Sequence, residues 1–155
     1  MKAVIQRVSS AKVTVDNKTV GEINNGFMVL LGVSDTDTEK EAELLAAKTA
    51  KLRIFCDSED KMNLSLLDVC GEALVVSNFT LCADTKKGNR PSFINAKEPV
   101  EADRLYNYYC EQLRANGVKK VETGKFRSEM QVSIVNEGPI TIVLDTDTWC
   151  KKNEI

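Results

Sequence analysis

No histidine occurs anywhere in this chain of 155 residues. That absence excludes a Ser-His-Asp triad or a Cys-His pair built within the chain. It also removes the commonest metal ligand and the usual base at neutral pH, so a hydrolase made from this sequence must find its base elsewhere. Cysteine is sparse and odd in number, at positions 56, 70, 82, 110 and 150. No pair has C-x-x-C spacing, so neither a zinc site nor a disulfide framework is indicated. Free or buried thiols in a reducing cytosol are the expectation. No stretch is long enough and apolar enough to cross a bilayer. The opening Met1-Lys2-Ala3-Val4-Ile5-Gln6-Arg7 lacks the apolar segment of a signal peptide. A cytoplasmic protein with no metal and no cofactor is expected. Nor is there a surplus of positive charge, since 21 Lys and Arg stand against 23 Asp and Glu, a net charge of −2. General polyanion binding needs many surface cations. An RNA partner would therefore have to be held by a local basic patch and a specific pocket.

What is present is ordinary for a globular domain, with 43% hydrophobic and 28% charged residues. A single domain over residues 1–155 is expected, able to bury roughly two-thirds of its unfolded surface. No internal repeat and no linker interrupts it. Lys2 to Val8 and Lys12 to Asp16 read as two strands, with turn chemistry at Asp16-Asn17-Lys18. Val20 to Ile23 returns, Asn24-Asn25-Gly26 offers a tight hairpin turn, and Phe27 to Val33 is apolar enough for a central strand. Thr38 and Glu41 fit a capping box, and the helix they open carries Leu44, Leu45, Ala47, Lys48 and Leu52 on a mixed surface. Leu52 to Phe55 reads as the possible start of a strand. Pro99 suits the first turn of a second helix, with Leu105, Tyr108, Tyr109 and Leu113 at helical spacing and Asn116-Gly117 at its end. Lys119 to Val121 fits a short strand, and the tail from Trp149 to Ile155 is expected to fray. The sum is an α+β fold: a mostly antiparallel, curled, barrel-like sheet with helices packed on its outside.

Two stretches carry the chemistry. Ala73 to Leu81, A-L-V-V-S-N-F-T-L, begins as a buried apolar strand and ends in Ser77, Asn78, Phe79 and Thr80. Polar side chains at the end of a rigid strand are what a site needs; a strand running into an ordinary polar loop is the plain alternative. Ser77 and Thr80 are nucleophiles only if something activates them. A neighbouring Lys or Asp is one option, though no spacing points to one. The other is that backbone N–H groups around Phe79 and Thr80 face a developing oxyanion as fixed dipoles. The second stretch, Asn136-Glu137-Gly138-Pro139-Ile140-Thr141, separates two runs of period two, with Met130, Val132 and Ile134 on one face of the first and Ile140, Ile142 and Leu144 on one face of the second. A hairpin turn is the simple reading of it.

Together these stretches resemble the D-aminoacyl-tRNA deacylase family. The family pattern has a Ser-Gln-Phe-Thr-Leu strand end and an Asn-x-Gly-Pro-x-Thr turn. The first is Ser77-Asn78-Phe79-Thr80-Leu81 here, with Asn for Gln; the second is intact. The resemblance extends to Ala3-Val4-Ile5-Gln6-Arg7-Val8, to Lys61-Met62-Asn63-Leu64-Ser65-Leu66 and to the run from Ala83 to Phe93, in the family's order. It implies hydrolysis of the ester of D-aminoacyl-tRNA, and of glycyl-tRNA mischarged on tRNA(Ala), with the ribose hydroxyl of the substrate assisting. It implies that Ser77, Asn78, Phe79 and Thr80 form the catalytic end. It further implies a homodimer in which a cis Gly138-Pro139 from one copy enters the other's pocket and rejects L side chains by clash. Arg7 resembles the arginine that orients that dipeptide, and Phe126 and Met130 resemble residues lining an adenosine pocket; a surface charge and core packing are their plain alternatives. Asn78 is one methylene shorter than Gln, so whatever its amide reaches must lie closer or be bridged by water. Lys86, Lys87 and Arg90, in the basic loop after the first motif, are expected to meet tRNA phosphates. The competing readings are a non-catalytic tRNA-binding, editing-like domain and a Ser or Cys hydrolase of small esters, the latter disfavoured by the missing histidine.

Overall fold

The computed structural model describes residues 1–150. Six strands form one curled sheet: β1 (Lys2–Val15), β2 (Lys18–Ile23), β3 (Gly26–Gly32), β6 (Glu72–Ser77), β7 (Val121–Thr123) and β8 (Gln131–Asp145). Two tiny strands, β4 (Phe55–Cys56) and β5 (Met62–Leu64), pair with each other. Three helices, α1 (Glu39–Lys51), α2 (Pro99–Ala115) and α3 (Asp147–Cys150), complete the α+β fold. Of the tail expected to fray, Trp149 lies in α3 and its N–H donates to the Thr146 carbonyl at 3.0 Å, while residues 151–155 lie outside the described residues.

The expected pair of strands at the start is one strand of 14 residues. Its middle, Ser9-Ser10, breaks the alternation of apolar residues, but β8 pairs with β1 along nearly its whole length and carries the strand through two register shifts. At the end of β1, Asp16 and Asn17 take positive φ values of 50° and 62° and turn the chain back as a tight hairpin. Asn24-Asn25 is not the hairpin turn its composition suggested. β2 and β3 both run antiparallel to β1, on its second edge, with Ile23 opposite Ala11 and Gly26 opposite Val8. They are two lengths of one return path, and the two asparagines mark a bend in it. Beyond β3 the pairing becomes parallel, β3 to β6 and β6 to β7. The curl brings β2 back to β7: a Cβ built on Gly21 would lie 2.4 Å from the Thr123 carbonyl oxygen, so only a residue without one fits this approach.

Alternation along the strands makes two cores. Ala73 and Val75 of β6 face the helices, with Ile5, Phe27, Val29 and Leu31. Leu74 and Val76 face the inside of the curl, with Val8, Val13, Ile23 and Met28. Helix α1 begins as expected: the Thr38 hydroxyl accepts from the Lys40 N–H at 3.3 Å and the Glu41 carboxylate accepts from the Thr38 N–H at 2.7 Å. Its buried face differs from the expected one. Ala42, Leu45, Ala46, Thr49 and Ala50 are buried and Leu44 is 42% exposed, because small residues let α1 approach both the sheet and α2. The second helix has Pro99 in its first turn and Leu105, Tyr109 and Leu113 buried as expected, but Tyr108 of the same stripe is only half-buried and its hydroxyl donates to Glu43 Oε1. The Tyr109 hydroxyl donates to Thr49 Oγ1 at 2.9 Å, and the phenol is fully buried. Tyr109→Phe leaves that oxygen short of a partner, and a buried hydrogen bond of this kind is worth about 1 kcal/mol. Urea unfolding should show a loss of that size with an unchanged slope.

Helices α1 and α2 lie outside the sheet, and the first motif sits where β6 emerges beside α2. Strand β8 runs unbroken from Gln131 to Asp145, so the Gly-Pro motif is not a hairpin turn either. Between the pairs Val8–Asn136 and Gln6–Thr141, two steps of β1 face five steps of β8. The surplus residues around Gly138-Pro139 stand out as a bulge opposite Arg7. Bulges re-aim a strand without ending its pairing.

Candidate active site

The expected strand Ala73–Leu81 stops early. β6 ends at Ser77, paired with Leu31. The Asn78 N–H still donates to the Leu31 carbonyl at 2.8 Å, but β3 ends one residue later at Gly32 and offers nothing further to pair with. The chain tightens into a 3-10 turn over Phe79–Cys82, held by Leu81 N–H to the Asn78 carbonyl at 3.3 Å and Ala83 N–H to the Thr80 carbonyl at 3.2 Å. The turn closes over Gly32, where an added Cβ would sit 2.9 Å from Leu81 Cβ. The first N–H groups of such a turn have no partner inside it. Among the described residues, neither the Phe79 nor the Thr80 N–H has a hydrogen-bond acceptor.

The side chains here are arranged locally. The Thr80 hydroxyl donates to Asn78 Oδ1. The shorter amide therefore reaches back to its own turn. Ser77 makes no side-chain hydrogen bond to a Lys, Arg, Asp or Glu among the described residues, so nothing activates it as a nucleophile. Cys82, at the end of the turn, is buried, and burial pushes its thiol pKa up. That is the wrong direction for a thiolate nucleophile. No group of three or more Cys, Asp and Glu side chains among the described residues is placed to hold a metal ion.

Ser77, Asn78 and Phe79 line a cleft of about 700 Å³, with Phe126 and Met130 on another wall. Thr80 adjoins it without lining it. Phe79 is 57% exposed and meets Phe93 edge to face, with ring centroids 5.0 Å apart. Behind Phe126 stands Tyr106, its ring centroid 6.3 Å away. The Tyr106 hydroxyl donates to the Val75 carbonyl at 2.6 Å, which braces the cleft floor against β6, and burial raises this phenol's pKa. Met130 packs over Gly124, where a Cβ would lie 2.6 Å from its sulfur. A mostly apolar cleft with a few fixed polar donors at one end is the ordinary form of a small-molecule site.

Gly138 and Pro139 are exposed, and the peptide bond between them is cis. Arg7 holds the bulge from below: Nε donates to the Glu137 carbonyl at 3.2 Å and Nη1 to the Ile54 carbonyl at 2.9 Å. Asn136 and Thr141 close its ends, with Ile140 N–H donating to Asn136 Oδ1 at 3.0 Å and Asn136 Nδ2 to Thr141 Oγ1 at 3.2 Å. The chain does not bring this bulge to its own cleft. In the sheet, β6, β3, β1 and β8 lie side by side, so Ser77 and the bulge are three strand spacings apart, about 14 Å. Ser77 also stands level with Ala3 whereas the bulge stands level with Arg7, about 13 Å further along.

Lys86, Lys87 and Arg90 are exposed in a loop pinned by Asp84 and Ser92, whose N–H groups and carbonyls pair at 2.7 and 2.9 Å. Lys86 lines a second, polar cavity of about 350 Å³ with Lys2, Asp84 and Asp147, apart from the main cleft; Lys87 and Arg90 line neither. Sequence reasoning missed the opposite rim, made by Lys97, Glu98, Pro99 and Ala102 at the start of α2, and by Arg127. Pro99 signalled that a helix begins there but not what its first turn faces. Lys125, Arg127 and Glu129 surround Phe126 in the sequence, but nothing in their spacing marked Arg127 as a cleft residue.

The family model described as D-Tyr-tRNA(Tyr) deacylase matches residues 4–145. A "D-aminoacyl-tRNA deacylase" of Dehalococcoides mccartyi is 58% identical over 146 residues, covering 94% of this chain and 95% of the relative. One of Lacticaseibacillus casei is 54% identical over 147 residues, covering 95% and 99%. Among solved structures, "c-Myc DNA Unwinding Element Binding Protein" superposes with a TM-score of 0.89 at 44% identity, covering 94% of this chain and 98% of that one. A "probable eukaryotic D-amino acid tRNA deacylase" gives a TM-score of 0.78 at 21% identity over 92% of this chain and 97% of its own, a likeness of fold alone.

Proposed function

This chain belongs to the D-Tyr-tRNA(Tyr) deacylase family, and from that premise we propose that it hydrolyses the ester of D-aminoacyl-tRNA to free D-amino acid and tRNA. The observation that carries the reading is the pair of open N–H groups, that of Phe79 in the wall of an aromatic cleft and that of Thr80 next to it, in a chain without histidine. The ester carbonyl oxygen points at these donors. Water adds to the acyl carbon, the charge that develops on oxygen is met by dipoles already in place, and the carbon–oxygen bond to the ribose then breaks. The departing ribose oxygen takes a proton as the acid forms. No side chain of this chain serves as base. The neighbouring ribose hydroxyl of the substrate, a donor and an acceptor, orients the water. Phe126 and Met130 hold the adenosine, and Lys86, Lys87 and Arg90 meet phosphates further along the tRNA.

Chirality is set by exclusion. Because the Gly138-Pro139 bulge lies far from its own cleft, a second copy of the chain supplies it, and the working unit is a homodimer. Its main-chain carbonyls stand beside the substrate's alpha carbon and leave no room for an L side chain. A D side chain points outward, and glycine has nothing to exclude, so glycyl-tRNA(Ala) is also a substrate. The enzyme works in the cytoplasm, where charged tRNA is used. Among the described residues no helix is long and apolar enough to cross a membrane.

Incubation with D-tyrosyl-tRNA and L-tyrosyl-tRNA tests the reading. Loss of the D ester on the order of a hundredfold faster, about 2.7 kcal/mol of discrimination, is expected. Equal loss of both ends the chiral reading. Binding of tRNA with neither ester lost returns the chain to a non-catalytic tRNA-binding domain.

A further inference from the structure

We infer that Arg127 is a phosphate clasp at the mouth of the cleft, gripping the phosphate that joins the tRNA's terminal nucleoside to its neighbour; this rests on the reading of the cleft given above. Arg127 lines the cleft beside Phe126 and is itself exposed. It occupies a tight turn closed by Ser128 N–H donating to the Lys125 carbonyl at 3.2 Å. Its φ is +59°. Non-glycine residues at positive φ are uncommon, and Asn and Asp tolerate the region best. The other such residues among those described are Asp16, Asn17, Asp60 and Cys70, and none of them lines the cleft. Backbone held in a disfavoured region gathers where function needs a side chain in one place.

The surrounding charges leave this guanidinium free. Among the described residues Arg127 makes no ion pair and no side-chain hydrogen bond. Lys97, the other cation on the rim, is engaged, with Nζ donating to the Asp35 carbonyl at 2.8 Å. The Glu98 carboxylate accepts from the Val100 and Glu101 N–H groups at 3.2 and 2.7 Å and so caps α2. Glu129 shares the rim without pairing to Arg127 and partly offsets its charge. If the cleft holds one aminoacylated nucleoside, the next group out of its mouth is a phosphodiester. A guanidinium offers two parallel N–H donors to the two free oxygens of such a group. The clasp adds affinity for the polynucleotide and takes no part in the reaction.

Arg127→Gly is the informative change, because glycine accepts the positive φ freely and removes only the side chain. Titrate wild type, Arg127→Gly and Arg127→Lys with the trinucleotide CCA and with adenosine, at two salt concentrations, and record each variant's melting temperature. The clasp requires that Arg127→Gly weaken CCA about tenfold and adenosine less than twofold, with no fall in melting temperature. It also requires the salt slope for CCA to fall by about 0.7, the value for one contact to a single strand, and Arg127→Lys to recover part of the loss. Equal weakening of both ligands, or of neither, overturns it. CCA binding that depends on Arg127 in a protein that deacylates nothing would keep the clasp and remove the deacylase reading. Normal deacylation with unchanged CCA affinity in Arg127→Gly would do the reverse.

Discussion

Gly138→Ala should lower kcat/KM for D-tyrosyl-tRNA by about a hundredfold or more while leaving the protein folded. Gly138 has a φ of +131°, where an L residue is strained. A Cβ there would lie 2.8 Å from Ile140 Cγ1, 3.0 Å from the Ile140 nitrogen and 3.3 Å from Arg7 Nη2. The isoleucine side chain can turn aside. Its nitrogen cannot, because it is held 3.0 Å from Asn136 Oδ1. Relief therefore shifts the bulge, loosens Asn136 and crowds the Arg7 guanidinium that grips the Glu137 carbonyl. A displacement of about 1 Å in a positioning group costs on the order of a hundredfold in rate. The fold should survive because the bulge is exposed and the ladder is paired on either side of it, Val8 to Asn136 and Gln6 to Thr141. Steady-state kinetics on both tyrosyl-tRNA stereoisomers, beside a melting curve, would read this. Unchanged kinetics would take the Gly-Pro bulge out of the site. Mixing this variant with one damaged at Phe79 should restore part of the activity, since half of the mixed dimers' clefts then combine an intact turn with an intact bulge.

The separation of the two motifs was invisible in the sequence, and the reason is general. Apolar alternation in Met130, Val132 and Ile134 and again in Ile140, Ile142 and Leu144 shows that each run has a buried face, but not that both runs pair with the same strand, nor that the first packs on the core inside the curl and the second on the core beneath the helices. Gly-Pro therefore read as a hairpin turn, where the pairing partner makes it a bulge. Asn24-Asn25 misled in the same way: local turn chemistry was real, and β1 held both flanking strands to one edge regardless. The limit of β6 was set by the end of its neighbour β3, a tertiary fact. What local rules do govern was legible: the Thr38–Glu41 cap, Pro99 opening α2, the Asp16-Asn17 turn, and the buried stripe of Leu105, Tyr109 and Leu113. For the site, the motif residues Ser77, Asn78, Phe79, Phe126 and Met130 line one cleft, and Arg7 grips the bulge. The α2 rim and Arg127 joined them only once folding had brought distant stretches together.

The 3-10 turn allows the backbone's part in the chemistry to be separated from that of the side chains. Phe79→Pro should cost about 10²–10³ in kcat relative to Phe79→Ala, the size of effect seen when one oxyanion donor is removed. Both variants lose the ring and its edge-to-face contact with Phe93. Only proline also loses the N–H. Proline is tolerated at the first position of a helical turn because that N–H has no partner within it, and the Phe79 N–H has none among the described residues. Asn78, with φ −144° and ψ 90°, already lies outside the helical region that a following proline disfavours. The turn should therefore form in both proteins, with similar melting temperatures. Thr80→Val keeps its N–H and loses only the hydroxyl that donates to Asn78, so its rate should fall by less than about tenfold, the loss of one exposed hydrogen bond. The order matters more than the magnitudes: if Thr80→Val were the crippled variant and Phe79→Pro matched Phe79→Ala, catalysis would belong to a hydroxyl and not to the main chain.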